Sequence, residues 1–176
     1  MQRLPAFLAV SLALSGAGIA SAQTAHNSAA PINFGADHIE LQDKANRALL
    51  SGNVVVKQAE MTLNSARMTV AYTGQVVDGS PQVSRLDAAG NVVVTRPDQT
   101  ARSNFAVYDL NKRVVTMLGA VTLIQAGNTV NGGRLTINLD TGRAVIDGSS
   151  VGGGKAGTTT SSGGRVSGTF SVPKRN

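Results

Sequence analysis

Cysteine is the first residue type that this sequence lacks: none occurs in the 176 residues of the chain. Its absence excludes disulfide bridges, thiolate catalysis and cysteine-ligated zinc sites. Aromatic residues are also scarce, at 3% of the composition. A fold of this chain must therefore be held together by burial of aliphatic side chains and by backbone pairing.

An excess of basic charge is nearly absent from the central part of the sequence. The chain has a net charge of +6, yet residues 31–148 contain 11 Lys and Arg against 10 Asp and Glu. Most of the excess lies near the C-terminus, at Lys155, Arg165, Lys174 and Arg175. A nucleic-acid binder normally presents a basic surface on its folded part, with aromatic residues for stacking. The sequence therefore predicts no nucleic-acid partner.

Long hydrophobic runs are lacking after the N-terminal segment. Residues 1–22 have the parts of a secretory signal: Arg3, an apolar stretch, and the small residues 20–22 as a cleavage site. We expect cleavage after Ala22, which leaves an exported chain with a short unstructured N-terminus over residues 23–30. A retained N-terminal anchor is the alternative, although polar residues and glycines interrupt the apolar stretch.

Residues 31–148 alternate between apolar and polar side chains in short segments that Gly, Asn and Asp interrupt. Residues 135–139 (LTINL), for example, place three aliphatic side chains on one face of a strand and two polar ones on the other. No window of helical length keeps an apolar stripe at helical spacing. The alternation predicts an all-β domain over residues 31–148.

A repeat organises these strands. It begins at Gly52, Gly90 and Gly119, with intervals of 38 and 29 residues. The second and fourth residues after each glycine are aliphatic, whereas the residues between them are mixed. Since successive strand residues point to opposite faces, we expect the aliphatic set to line one interior. The glycines either form bulges with a positive φ or end their strands, and the pattern leaves both interpretations open.

Each repeat turns and returns as a second alternating strand, over residues 66–72, 104–110 and 133–139. We therefore predict repeated antiparallel strand-turn-strand units around one apolar interior. The side chains expected to face that interior, and to bind lipid if it is a slot, are Leu50, Val54, Val56, Met68, Val70, Val92, Val94, Phe105, Val107, Val115, Met117, Val121, Leu123, Leu135 and Ile137. The same alternation fits a filled core, which would make the chain a structural or adhesive β-repeat protein.

The composition changes at Ser149 to mainly Gly, Ser and Thr. Such a segment buries too little apolar surface to offset the entropy of ordering it, so residues 149–176 are expected to form a flexible basic tail. Within this tail, residues 165–172 alternate weakly. They form either a short edge strand or a solvated basic end, and the second interpretation is favoured because chain termini are usually disordered.

No group of residues indicates catalysis. Asp140, Thr141 and Gly142 match the Asp-Thr-Gly of aspartic proteases, but such enzymes need two of these carboxylates and the chain has one copy. The same triplet favours a turn between strands. The histidines, His26 and His38, have no partners at ligand spacing. We predict no enzyme activity, no cofactor and no metal, and a dimeric hydrolase that uses Asp140 is the weaker hypothesis.

Five segments resemble the lipopolysaccharide-transport periplasmic protein A family. Residues 32–37 (INFGAD) are similar to its first strand, and residues 49–58 (LLSGNVVVKQ) and 64–70 (NSARMTV) to its repeated strand-turn-strand unit. Residues 114–125 (VVTMLGAVTLIQ) and 132–137 (GGRLTI) are similar to a later unit. The resemblance covers the whole predicted β domain and consists of a pattern over many positions rather than a short motif.

The resemblance implies an open, twisted β-jellyroll in the periplasm. Its interior would hold the acyl chains of lipopolysaccharide. Its ends would pair with like domains, either copies of itself head to tail or the inner-membrane and outer-membrane transport components. Lipopolysaccharide would pass along this bridge without a catalytic residue. If the N-terminal signal is retained, the resemblance implies instead the membrane-anchored component of the same pathway. It does not extend to the Gly/Ser/Thr-rich tail.

Overall fold

The computed structural model describes residues 26–74, 81–148 and 165–170, which form a sheet of ten strands. The strands are β1 (Ile32–Gly35), β2 (His38–Gln42), β3 (Arg47–Gln58), β4 (Met61–Thr73), β5 (Gln82–Arg96), β6 (Gln99–Asp109), β7 (Val114–Gln125), β8 (Asn128–Asn138), β9 (Ala144–Asp147) and β10 (Ser167–Thr169). A turn of 3-10 helix, Asp43–Ala45, joins β2 to β3. The predicted signal and most of the predicted tail lie outside the described residues.

The sheet is an antiparallel meander in which each strand from β3 to β8 pairs with the next one in the sequence. β1 and β2 share the free edge of β3, and β9 and β10 share the free edge of β8. Among the described strands, no pairing joins these two edges into a closed barrel. The prediction of an all-β fold with an open antiparallel sheet is confirmed.

Three bulges bend the sheet along one line. They lie at residues 52–53 of β3, 90–91 of β5 and 119–120 of β7, where two residues face one on the neighbouring strand. Both residues of each pair have a positive φ, which is 74° at Gly52 and 81° at Gly90. Glycine reaches this conformation without the Cβ clash that opposes it in other residues. Of the two interpretations of the repeated glycines, the bulge is therefore confirmed.

The line of bulges divides the sheet into two walls. The first wall contains β1, β10 and the ends of the long strands that meet at the turns 59–60, 97–98 and 126–127. The second wall contains β2, β9 and the opposite ends of the same strands. The walls face each other, because Tyr108 of the second wall donates a hydrogen bond to the Oε1 of Gln58 in the first wall, at 2.7 Å. Their inner faces form one buried apolar cluster.

Two residues predicted to face inward, Phe105 and Val107, lie on the outer face of β6. Phe105 is 54% exposed, and the buried positions are Ala106 and Tyr108 instead. The bulges of the neighbouring strands cause this difference. Opposite the bulges of β5 and β7, successive buried residues of β6 are three positions apart instead of two, at Ser103 and Ala106. The prediction for Phe105 and Val107 is therefore wrong.

Residues 26–30 contradict the expectation of an unstructured N-terminus. His26 is buried, with its ring within hydrogen-bond distance of Glu60 and Gln58. The side-chain amide of Gln58 also donates to two backbone oxygens of this segment, at 3.0 Å each. Polar side chains at the end of β3 and in the following turn thus hold the segment against the sheet.

The C-terminal segment contradicts the favoured interpretation of a solvated end. Ser167–Thr169 forms β10 and pairs with residues 129–131 of β8. The two backbones approach closely at Gly168, where an added Cβ would lie 3.1 Å from the backbone oxygen of Thr129. The short edge strand is therefore the interpretation that the structure supports.

Candidate functional site

The candidate site is the space between the two walls, which is lined by rows of side chains parallel to the bulges. In the second wall, the row next to the bulges contains Leu50, Met68, Ala88, Ala106, Met117, Leu135 and Ile146. The next row contains Ala48, Val70, Leu86, Tyr108, Val115 and Ile137. A row of the first wall contains Val56, Leu63, Val94, Ala101, Leu123 and Val130. Each row crosses the sheet from strand to strand.

The residues predicted from the sequence to line the interior lie in this apolar cluster, except for Phe105 and Val107. The cluster includes Leu50, Val54, Val56, Met68, Val70, Val92, Val94, Val115, Met117, Val121, Leu123, Leu135 and Ile137. Their inward orientation is a feature of the structure, whereas their contact with lipid stays a prediction.

Several interior residues were not among those predicted. They include Met61, Leu63, Ala101, Ala106 and Tyr108. Met61 and Leu63 alternate with polar neighbours, a signal that extends β4 back to its observed start. Ala106 and Tyr108 gave no such signal, because the residues on either side of Ala106 are more apolar than Ala106 itself.

The apolar interior is open at the edge formed by β1 and β2. Phe34 pairs with Val56, and Leu41 pairs with Ala48, so both side chains extend interior rows toward the end of the sheet. Phe34 is 47% exposed and Leu41 is 59% exposed. The rows therefore reach solvent at this edge.

The opposite edge also carries exposed apolar side chains. Gly168 of β10 pairs with Val130, which belongs to an interior row. Val166 and Phe170, two residues before and after Gly168, share its face of the chain. Phe170 is 68% exposed. The apolar rows thus reach solvent at both edges of the described sheet.

Polar side chains replace most of the apolar ones in the first-wall row farthest from the bulges. This row, the polar rim, consists of Gln58, Met61, Arg96, Gln99, Gln125 and Asn128. Beside it, the ring of His26 has its Nδ1 2.9 Å from Glu60 Oε1 and its Nε2 3.2 Å from Gln58 Oε1. Both ring nitrogens of His26 are thus within hydrogen-bond distance of side-chain oxygens.

Burial and hydrogen bonding change the acidity of two groups near the rim. Burial raises the pKa of the Tyr108 phenol. Burial also acts to raise the pKa of Glu60, but its own backbone N–H, the His26 ring and the charge of Arg96 together hold that pKa below its ordinary value. At neutral pH the rim region therefore contains a Glu60 carboxylate.

The residues weighed for catalysis or metal binding have ordinary structural surroundings. Asp140 lies in the turn after β8, 3.3 Å from the Nη1 of Arg113, and both side chains are about half exposed. His38 is exposed on β2. Among residues 26–74, 81–148 and 165–170, no group of three His, Cys, Asp or Glu is placed to bind a metal ion. In the same part of the chain, no helix is long and apolar enough to cross a membrane.

Residues 34–143 match the model of a family described as LptA/(LptD N-terminal domain) LPS transport protein, where LPS is lipopolysaccharide. This chain belongs to the LptA/LptD N-terminal domain family. The match runs from β1 to the residue before β9, so it includes the long strands of both walls. Membership in the LptA family confirms the resemblance that the sequence pattern indicated, and the family is one of transport proteins.

A solved structure supports the fold of this LptA family member. It is the crystal structure of LptH from Pseudomonas aeruginosa, the LptA-homologous periplasmic component of the conserved lipopolysaccharide transport device. The similarity has a TM-score of 0.68 at 19% identity and covers 84% of this chain and 99% of LptH. The likeness confirms the open β-jellyroll.

A protein of Rhizobium meliloti (strain 1021) is 29% identical to this chain over 121 residues. The alignment covers 66% of this chain and 65% of that relative, so the similarity spans slightly less than two thirds of that relative's length.

Proposed function

We propose that this chain carries lipopolysaccharide through the periplasm, with the acyl chains between the two walls and the sugars outside. The observation that most directly supports the proposal is the continuity of the apolar rows, which reach solvent at both edges of the sheet. An acyl chain gains about 0.8 kcal/mol for each CH2 that it buries in such an interior. Passage of lipid along it needs no catalytic residue.

We further propose that the chain acts as a bridge between two membranes. Unpaired edge strands provide templates for pairing with further strands. Because the β1 and β2 edge lies at the opposite side of the sheet from the β9 and β10 edge, head-to-tail pairing extends the sheet in one direction. The partners are then an inner-membrane export complex, an outer-membrane assembly complex and further copies of this chain.

Site-specific photocrosslinking in cells that make lipopolysaccharide tests the lipid-carrying role. A photoreactive residue at Val94 or Ile137 faces the interior from the first or the second wall, and these residues are 2% and 1% exposed. Thr95 and Asn138, the next residues in each strand, face outward and are the matched controls. We expect lipopolysaccharide adducts at the two inward positions and none at the controls.

A structural β-repeat protein with a filled core is the second candidate function. It is supported by the close packing of the walls, since Tyr108, Met117 and Leu135 are completely buried by protein atoms. Folded protein that forms no adduct at Val94 or Ile137 would favour this candidate over the lipid carrier. Equal adducts at inward and outward positions would also contradict a lipid slot.

The membrane-anchored component of the same pathway is an alternative within the proposed function. It differs from the periplasmic carrier in keeping residues 1–22. We expect the mature protein to begin at Gln23, as N-terminal sequencing of the exported chain would show. A mature protein that begins at Met1 would instead indicate the anchored component.

A further inference from the structure

Arg96 is a buried cation at the end of the first wall. It is the last residue of β5, lies on the same face as Val92 and Val94, and is 6% exposed. Its Nε and Nη1 atoms are buried and have no hydrogen-bond acceptor among the described residues. A guanidinium is always charged in proteins and only donates hydrogen bonds. Buried donors normally have acceptors, because an unpaired one loses its hydration without compensation.

Gln99 supplies a second unpaired donor beside Arg96. The two residues are cross-strand partners next to the turn between β5 and β6. Gln99 is also 6% exposed, and its Nε2 has no acceptor in the described part of the chain. Adjacent strands thus place two side chains with unsatisfied donors next to each other in the polar rim.

The nearby carboxylate of Glu60 does not pair with Arg96. The charge of Arg96 acts on Glu60 at longer range, but among the described residues the Glu60 carboxylate contacts the His26 ring, at 2.9 Å. The Glu60 carboxylate is therefore engaged by the His26 ring, and no ion pair of Arg96 occurs in the described part of the chain. The positive charge of Arg96 is left for another anion.

We propose that Arg96 and Gln99 bind an anionic oxygen group, a phosphate, on an amphiphile whose chains lie between the walls. A planar guanidinium binds phosphate oxygens through paired N–H donors. From Arg96, Val94 and Val92 continue toward the bulges on the same inner face, so a phosphate at the rim places the attached chains on the apolar rows. This inference rests on the proposed function and adds the position of the charged headgroup.

The test compares decyl phosphate, neutral decanol and inorganic phosphate as probes, each titrated calorimetrically into the exported chain. We expect the wild-type protein to bind decyl phosphate at least about tenfold more tightly than decanol. In Arg96→Gln, the affinities for decyl phosphate and decanol should lie within about twofold of each other. The affinity for decanol should be the same as in the wild type. Arg102→Gln, which removes the same charge from the exposed face of β6, is the matched control and should keep the preference.

The outcomes separate the headgroup site from the lipid carrier. Equal wild-type affinities for decyl phosphate and decanol would overturn the assignment of Arg96 while supporting an apolar binding interior. Binding of neither amphiphile would overturn both proposals. A third outcome is that the protein binds inorganic phosphate, loses this binding in Arg96→Gln, and shows no preference between the two amphiphiles. This outcome would identify a site for free phosphate and overturn the headgroup assignment.

Urea unfolding distinguishes a binding role of Arg96 from a structural one. Because its buried donors have no acceptor among the described residues, Arg96→Gln should unfold at the same urea concentration as the wild type or at a higher one. A lower midpoint would show that Arg96 stabilises the fold and would overturn the assignment. Arg96→Lys keeps the charge but loses the fork of donors, so we expect it to retain part of the preference for decyl phosphate.

Discussion

The phenol of Tyr108 connects the two walls through a buried hydrogen bond. Its Oη donates to Gln58 Oε1 at 2.7 Å, and the residue has no exposed surface. Tyr108→Phe removes the donor and keeps the packing, so we expect the free energy of unfolding to fall by about 1 to 2 kcal/mol. Urea denaturation followed by circular dichroism measures this loss.

Tyr72→Phe is the matched control for Tyr108→Phe. The Tyr72 phenol also donates to one oxygen, Asp43 Oδ1 at 3.0 Å, but this bond lies beside the exposed 3-10 turn, where water can replace the lost partner. We expect a smaller loss than for Tyr108→Phe. Equal losses of unfolding free energy in the two variants would contradict the argument that burial makes the Tyr108 hydrogen bond the more stabilising one.

The lowered pKa of Glu60 predicts a dependence of stability on pH. Folding favours the carboxylate, so its contribution is fully present above the ordinary pKa of 4.5 and is lost as the pH falls through the lower folded-state value. Glu60→Gln removes the titrating group. We therefore expect the wild type to be more stable than Glu60→Gln at neutral pH, and this difference to shrink below pH 4.5.

Urea midpoints of both proteins between neutral and acidic pH measure this dependence. The His26 ring and the Arg96 guanidinium are the neighbouring side chains that lower the pKa of Glu60. A constant difference between the two proteins at all pH values would show that Glu60 contributes through packing rather than charge.

The bulges are the elements that fold the sheet into two walls, and glycine at their first position makes them possible. At Gly90 the φ is 81°, and an added Cβ would lie 3.1 Å from the Cβ of Ala66. We expect Gly90→Ala to lower the free energy of unfolding by about 1 to 2 kcal/mol, measured by thermal or urea unfolding.

Gly35→Ala is the matched control for the bulge. Gly35 ends β1 without a positive φ, and no atom lies within 4 Å of an added Cβ. Alanine there should leave stability unchanged or raise it slightly, because it restricts the unfolded chain. A loss at Gly35 as large as that at Gly90 would indicate a general effect of alanine rather than strain at the bulge.

The strands and their inner faces were largely predictable because alternation is a local signal. In β3 and β5 the buried residues have even sequence numbers on both sides of the bulge. A single alternation along each strand therefore identifies its inward residues correctly, which include Leu50, Val56, Val92 and Val94. On β6 the parity changes where its bulged neighbours add residues. Which face Phe105 adopts depends on pairing with other strands, and alternation within its own segment does not contain that information.

The polar rim could not be predicted because it depends on contacts between residues distant in the sequence. His26 meets Gln58 and Glu60 across more than thirty positions. Gln58 meets Tyr108 only because the sheet folds at the bulges.

The strand β10 also depends on a contact between residues distant in the sequence. This short segment is a strand because it pairs with β8, and its own composition does not predict it.

Across the whole molecule, exposed apolar side chains collect at the two open edges of the sheet. Phe34, Ile39 and Leu41 lie on β1 and β2, whereas Val145 lies on β9 and Phe170 next to β10. Such surface is usually covered by a partner when it is extensive. If a second copy pairs its β1 and β2 edge with the β9 and β10 edge, the apolar rows of the two copies become continuous.

If copies associate through these two edges, Phe170→Lys should weaken that association. The charge lies on the inner face at the C-terminal edge, where pairing would have to bury it without a partner. Phe105→Lys introduces the same charge at an exposed phenylalanine in the middle of the sheet and is the matched control. In sedimentation velocity runs at rising concentration, we expect the wild type and Phe105→Lys to form the same larger species and Phe170→Lys to stay monomeric. If Phe105→Lys dissociates the assembly and Phe170→Lys does not, copies associate through their outer faces, and the interior does not continue from one copy to the next.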